Sequence, residues 1–477
     1  MTVVELCVYA LLLAVGAAVV WRRPLAALYL FIVGLALHNA VMAALYEAGV
    51  RGSTLTAITA WKEILLAVAL LHIVLDAWRE RRLPFRWNVV DWLAVAFAAL
   101  AVLYVFIPQS VLDGAADHKA IALGLRHDVV PVGAYFLGRS LVLRRDDLYR
   151  IGWTLLGVGA FVAALGIIDM YAVSIDWWRT NGVIDYFHRH LGYDYHGTGT
   201  RTEAHGAVYG LPENFIYNVG NDKPFIRRLV STFLSPLASG YLFLVALLIG
   251  LRARTLAIAL SVVVAAGLLF TFSRSSLVAL AGALVVLAIL RRRPHELAAA
   301  AVVIVVAVGW AHVFPKIGPT GRFTKTDLTY QHAQAKSSGS PTGNFTAVSE
   351  NEPSLHEHWT SLKDGVRTMV HHPEGYGLGN VGQTASRTGT PLKAGESNYT
   401  ELGVELGILG SLLWIAWNLG ALWLVRGEVR IAAAFAAILA LAIQTDVIGD
   451  PWVAYCMWGL VGASVPKSVL WARTSHI

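Results

Sequence analysis

Charged residues are scarce in this chain. Asp, Glu, Lys and Arg supply 14% of its 477 residues, against about 25% in soluble globular domains. With 56% hydrophobic residues arranged in long apolar runs, that shortage excludes an ordinary water-soluble fold. Cysteine is almost missing. Cys7 and Cys456 lie at opposite ends inside apolar runs, which excludes a disulfide framework and a cysteine metal site. The first apolar run ends in Trp21-Arg22-Arg23-Pro24, without a small-residue cleavage site, so it is expected to be a retained helix. No repeat of solenoid period stands out. Gly375, Gly377 and Gly379 have no strand–helix unit around them and are not a nucleotide fingerprint. The net charge is +7. In a membrane protein such an excess marks topology and not a nucleic-acid partner.

The apolar runs predict an all-α, polytopic transmembrane bundle of about 12–13 spans in the lipid bilayer. The segments lie near 4–21, 25–46, 55–78, 88–107, 128–143, 150–174, 233–251, 255–272, 274–290, 296–314, 399–425, 430–447 and 451–466. Alternate connections carry Arg22-Arg23, Arg79/Arg81/Arg82/Arg86, Arg144/Arg145/Arg150, Arg252/Arg254, Arg291-Arg292-Arg293, Arg426/Arg430 and Lys467/Arg473. The other short connections carry only Arg51, Lys119, Arg126 and Arg274. The bias assigns the first set to the cytoplasm, the N-terminus to the outside and the C-terminus to the inside. Two long loops, 175–229 and 315–398, are then extracytoplasmic and expected to contain short helices. They divide the chain into segments 1–174, 175–229, 230–314, 315–398 and 399–477. The first loop is rich in aromatics, such as Trp177-Trp178 and Tyr193-Asp194-Tyr195-His196. These suit a bilayer interface and equally suit stacking on sugar rings. In the second, His358 to Val370 has a helical pattern.

Cations on the outer side run against the bias. Arg227-Arg228 closes the first loop. Arg274 sits in the hairpin Phe272-Ser273-Arg274-Ser275-Ser276. Arg126 lies at the mouth of the fifth span, and Lys62, beside Glu63, lies about two turns into the third. Guanidinium groups grip phosphate bidentately and stay charged when partly dehydrated. A lone terminal Arg can instead simply snorkel to water. Glu396, at the start of a helix on the outer rim, can act as general base or complement the helix dipole. Glu405, one to two turns deeper, is expected to pair with a buried Arg or Lys. Metal readings are weak. Asp146-Asp147 lies on the cytoplasmic side, Asp446 and Asp450 suit loop caps, and His356-Glu357-His358 and His371-His372 lack helical zinc spacing. Lys62, Glu63 and Asp169 inside the bundle also suit a transporter pathway, although no inverted repeat is evident. A non-catalytic scaffold is a third reading.

Three blocks make the chain resemble the O-antigen ligase and polymerase superfamily over residues 120–465. Arg228-Leu229-Val230-Ser231-Thr232-Phe233-Leu234-Ser235-Pro236 resembles that family's Arg-x-x-Gly-Thr-Phe-x-x-Pro start of a span. Phe272-Ser273-Arg274-Ser275-Ser276-Leu277 resembles its Ser-Arg hairpin. Pro373 to Gly382 resembles its Gly-rich turn, leading to Glu396-Ser397-Asn398-Tyr399 and Glu405-Leu406-Gly407-Ile408-Leu409-Gly410. The resemblance implies a bacterial inner-membrane glycosyltransferase working at the periplasmic face. Its donor would be a glycan on undecaprenyl diphosphate, and its acceptor a glycan or lipid-linked hydroxyl. Envelope glycan assembly proteins would be its partners. Arg228 and Arg274 would bind the diphosphate, with Arg126, Lys62 and Arg227 near by, Tyr399 and Glu405 in the substrate site, and Glu396 as the base. Fixed guanidinium groups can stabilise a leaving diphosphate without metal or cofactor. Glu396 stands where ligases carry His, which favours a polymerase over a ligase joining polymer to lipid A core.

Overall fold

The computed structural model describes residues 3–82, 84–219, 223–251, 254–338, 353–393 and 397–466. Arg252, Glu396, Lys467 and Arg473 lie outside the described residues. The chain opens with α1 (Val3–Arg22), α2 (Leu25–Glu47), α3 (Gly52–Thr59), α4 (Trp61–Glu80), α5 (Val89–Phe106), α6 (His118–Ser140) and α7 (Arg145–Ala172). The first long loop holds α8 (Ile175–Thr180), α9 (Val183–Asp185), β1 (Thr198–Thr202), β2 (Val208–Leu211), β3 (Ile216–Tyr217) and β4 (Phe225–Arg227). Then come α10 (Pro236–Gly250), α11 (Thr255–Phe270), α12 (Arg274–Arg291) and α13 (Pro294–Ile317). The second loop holds β5 (Thr320–Gly321), α14 (Lys325–Ser338), α15 (Pro353–His371) and α16 (Gly382–Thr388). α17 (Asn398–Leu424), α18 (Val429–Leu441) and α19 (Pro451–Ser464) complete the bundle.

Each expected apolar segment holds a helix, with corrections at the ends. The protein is an all-α, multi-pass membrane protein. Among the described residues, α2, α5, α6, α7, α12, α13 and α17 are long and apolar enough to span, and α3 with α4 forms an eighth span bent by 42°. Residues 6–22, α10, α11 and α18 are apolar but shorter. Among these, α10 and α18 are almost wholly buried, as is α19; protein surrounds them, so their ends find polar partners inside the bundle. By contrast α13 faces outward, with Val302 and Val305 60% and 71% exposed. The fifth span begins ten residues earlier than its apolar run, because Asp117 caps α6 by accepting from the Ala120 N–H at 2.7 Å. Arg126 and His127 therefore sit within the helix and not at its mouth.

Small residues and one ion pair fix the centre. A Cβ on Gly138 of α6 would collide with the Gly459 carbonyl of α19, and one on Gly462 would collide with the Tyr135 carbonyl. The two backbones thus touch, which is how membrane helices gain close packing. At the end away from the long loops, Arg139 of α6 makes a bidentate pair with Asp91 of α5, at 2.8 and 3.0 Å. The Tyr135 hydroxyl also donates to Asp91. Both charged side chains are fully buried, so each depends on the other.

The long loops are more than short helices, contrary to the sequence expectation. β1 and β2 form an antiparallel hairpin, and β3, β4 and β5 form a second antiparallel sheet. β5 comes from the second loop, so the sheet joins the two. Asp327 of α14 strengthens the joint, accepting from the Thr200 N–H at 2.8 Å and the Thr198 hydroxyl at 3.1 Å. Burial alone would raise the Asp327 carboxyl, but hydrogen bonds from Thr200 and Thr324 hold it below the ordinary range.

The Gly-rich turn ends in the bundle itself. α17 is broken at Gly407, whose φ is 73° and ψ 177°, a conformation that essentially only glycine adopts. The break frees backbone groups that the turn takes up. Tyr376 N–H donates to the Val404 carbonyl at 2.7 Å, Gly377 N–H to the Glu405 carbonyl at 3.0 Å, and Ile408 N–H to the Pro373 carbonyl at 2.9 Å. A Gly407→Ala substitution is expected to cost about 1–3 kcal/mol, measured as a lower thermal unfolding midpoint in detergent, with the Gly→Ala change at exposed Gly427 as a near-neutral control.

Candidate active site

Arg228 and Arg274 come from different elements and meet at one hairpin. The Arg228 Nε donates to the Thr271 carbonyl at 2.8 Å. Thr271 lies three residues before Arg274, the first residue of α12. The Arg274 guanidinium sits 6.0 Å from the Tyr217 ring centre, and the Tyr217 ring packs on Phe272 at 4.8 Å. The backbone around this pair is strained. Ser231, Leu234 and Phe272 have φ of 49°, 53° and 51°, left-handed values that cost non-glycine residues free energy. Surrounding contacts hold the strain in place. The Ser231 hydroxyl donates to the Val162 carbonyl, the Thr232 hydroxyl to the Ala36 carbonyl, and the Asn39 amide to the Phe233 carbonyl, at 2.7, 2.6 and 2.8 Å.

A second group gathers where α6, α17 and the α18–α19 connection meet. The Asp446 carboxylate accepts from the Asn398 amide at 2.6 Å and the Gly449 N–H at 2.9 Å, and lies 3.1 Å from His127 Nε2. His127 Nδ1 faces Asp128 at 2.9 Å. Burial would raise the Asp446 carboxyl, but His127 first, then the Gly449 and Asn398 hydrogen bonds, hold it below the usual range. Asn398 Oδ1 accepts from the Val447 N–H at 2.8 Å. One side chain thereby ties the start of α17 to the connection beyond α18. Glu405 accepts from the Gly379 N–H at 2.7 Å and meets Asp128. Its expected Arg or Lys partner is replaced by the Gly-rich turn, because the break at Gly407 presents the carboxyl to that turn.

The Lys62 group adjoins this one. Lys62 Nζ donates to the Thr59 carbonyl at 2.7 Å, at the bend between α3 and α4, and lies 3.4 Å from His38 Nε2. Glu63 Oε1 accepts from Arg126 Nε at 2.7 Å. A cavity of about 90 Å³ opens beside Arg126 and His127, with Thr384 and Arg387 of α16 on its other side. Arg228 and Arg274 do not line it.

Other expected site residues turn inward. Arg227 is buried and pairs with Asp169 at 3.3 Å while donating to the Val173 carbonyl. It caps the end of α7 and does not join Arg228, whose guanidinium is held instead by the Thr271 carbonyl. Asp169 also accepts from the Trp178 indole at 2.8 Å, which separates it from Lys62 and Glu63. The Tyr399 hydroxyl donates to the Leu439 carbonyl at 2.8 Å, packing α17 on α18. Asp147 and Asp450 cap helices, accepting from the Arg144 and Trp452 N–H groups at 2.9 and 2.8 Å. Among the described residues, no three His, Cys, Asp or Glu side chains form a metal-holding group. Sequence reasoning passed over His127, Asp128 and Arg387, and named Asn398 only within its block, without a role. The signal for the first two was a His-Asp pair beside Arg126 in a helix that starts at an Asp cap.

Asn398→Ala is expected to lose about 2–3 kcal/mol, because it strands a buried carboxylate and the Val447 N–H; the thermal midpoint at pH 7 measures this. Asn398→Asp sets a second carboxylate against Asp446. It should be less stable than the alanine variant at pH 7 and should recover as pH falls towards 5, since protonating either carboxyl removes the repulsion.

No curated protein matches the chain. Residues 258–415 match the family model described as O-Antigen ligase. The matched segment runs from α11 through the Arg274 hairpin, the second loop and the Gly-rich turn to the middle of α17. This segment of the chain is thus similar to the O-antigen ligase family, and the Arg228 block and the Glu405–Gly407 break agree with that likeness.

Proposed function

We propose that the protein transfers a glycan from undecaprenyl diphosphate to an acceptor hydroxyl at the periplasmic face of the bacterial inner membrane. The carrying observation is the pair Arg228 and Arg274, drawn from separate elements to one strained hairpin. Strain that the surroundings hold in place is a mark of pre-organisation. Fixed guanidinium groups suit a diphosphate whose negative charge grows as it leaves. In the proposed step the acceptor oxygen gives its proton to Glu396 and attacks the anomeric carbon. The carbon–oxygen bond to the diphosphate breaks, its electron pair leaves with the diphosphate, and the anomeric centre inverts. No metal takes part. A carboxylate at the ligase His position favours chain polymerisation over transfer to lipid A core.

Arg274→Ala and Arg228→Ala are each expected to cut transfer from a purified lipid-linked oligosaccharide by about 100- to 1,000-fold at normal expression. Near-normal rates in both would remove the pair from the reaction. Glu396→Gln should be almost inactive, and chelator should leave the wild-type rate unchanged. Longer glycan on the carrier supports a polymerase, whereas glycan moved to lipid A core supports a ligase.

A further inference from the structure

The cavity between α6 and α16 has no part in that step, yet its walls are chemically biased. Arg126 and His127 of α6 and Arg387 of α16 all line it, and Gln383 and Thr384 add polar groups. Ile448 and Ala454 add apolar surface. No acidic side chain among the described residues lines it. The carboxylates that balance its charge stand behind the cations: Glu63 on Arg126 Nε at 2.7 Å, and Asp446 on His127. Arg387 is tied in the same way, its Nε donating to the Leu191 carbonyl at 2.9 Å. Each guanidinium is thus anchored through Nε, which fixes where its terminal nitrogens point.

The positive field reaches beyond the walls. Burial, then the charges of Arg387 and Lys119, push the His190 imidazole below its usual range. Aromatic rings adjoin two of the lining residues, Gln383 and Arg387. Tyr193 and Tyr195 stack at 4.9 Å between ring centres, the Tyr193 hydroxyl donates to Gln383 Oε1 at 2.8 Å, and Arg387 lies over the Tyr193 ring at 5.6 Å. Paired guanidinium groups take a carboxylate or phosphate, and an aromatic ring face takes the apolar side of a sugar. The volume, about 90 Å³, is that of a few waters at about 30 Å³ each. That is room for an acidic substituent but not for a whole sugar ring.

We infer that this cavity is a second glycan subsite, which binds the acidic substituent of a sugar, a carboxylate or a phosphate monoester, through Arg126 and Arg387. Naming the bound sugar as part of the transferred or accepting glycan rests on the transferase reading; the binding itself does not.

The test uses the purified full chain in lipid nanodiscs, titrated with D-glucuronate, glucose 6-phosphate and glucose and followed by saturation-transfer NMR. At least one anion is expected to bind about tenfold or more tighter than glucose, equivalent to about 1.4 kcal/mol. The better anion identifies the substituent. Arg387→Gln should abolish the preference. Thr384→Ile, which fills the cavity and keeps both cations, should abolish it as well, so the test survives misfolding of the first variant. Equal binding of glucose, or a preference that persists in both variants, overturns the subsite. Displacement of the anions by geranyl diphosphate at matching affinity also overturns it, by assigning the cavity to the donor. Arg274→Ala separates the two readings. Lost transfer with the preference intact supports both, and retained transfer with the preference intact sinks only the role of Arg274.

Discussion

The break of α17 at Gly407 is the constraint on which the outer half of the molecule depends. A continuous helix would satisfy its own backbone and offer the second loop nothing to hold. Once opened, it needs partners, because unpaired N–H and C=O groups are costly away from water. The Pro373–Gly379 turn supplies them, and its glycines at 375, 377 and 379, with φ of 78°, 85° and 83°, allow the backbones to touch. The turn then delivers the Gly379 N–H to Glu405 and Asn380 to the α5–α6 connection, where its amide donates to Gln109 at 2.7 Å. One unwound residue therefore docks a long loop against three helices.

From that joint the two loops are built as one lid-like body. The shared β3–β4–β5 sheet, the Asp327 contacts and the Tyr193–Gln383 bond cross from the first loop to the second. Each loop contributes a cation to one of two sets with different chemistry. Arg228 and Arg274 hang on strained backbone over the α11–α12 hairpin. Arg126 and Arg387 are braced by a carboxylate and a carbonyl around a small cavity. A membrane protein keeps charges within its bundle only where they are paired or useful, and here the pairing groups stand behind the cations.

The spans were legible because lipid demands length and apolarity whatever the neighbours are. The Arg228, Arg274 and Gly-rich blocks were legible because each departs from its surroundings, cations against the charge bias and glycines in a row. What escaped the sequence depends on contacts between distant segments. The bond between Asn398 and Asp446 spans 48 residues and that between His127 and Asp446 spans 319, and no local pattern encodes either. Arg387 sits in a Ser/Thr-rich stretch with the composition of an exposed loop, so only the fold reveals what it lines. The strands were missed because β3, β4 and β5 are two or three residues long, too short to show alternation. Arg227 and Arg228 are neighbours in sequence, yet one pairs with buried Asp169 and the other reaches the Thr271 carbonyl, which no local pattern encodes.

The Asp91–Arg139 pair has a consequence for biogenesis. Each charge alone opposes partitioning of its helix into lipid by about 2.5–3.5 kcal/mol near the bilayer centre, and by less near its surface. The two residues are 48 positions apart in sequence, so α5 emerges from the ribosome well before its counter-ion. Packing α5 against α6 cancels both penalties at once, so a contact that the finished protein hides completely favours these two helices coming together in the membrane.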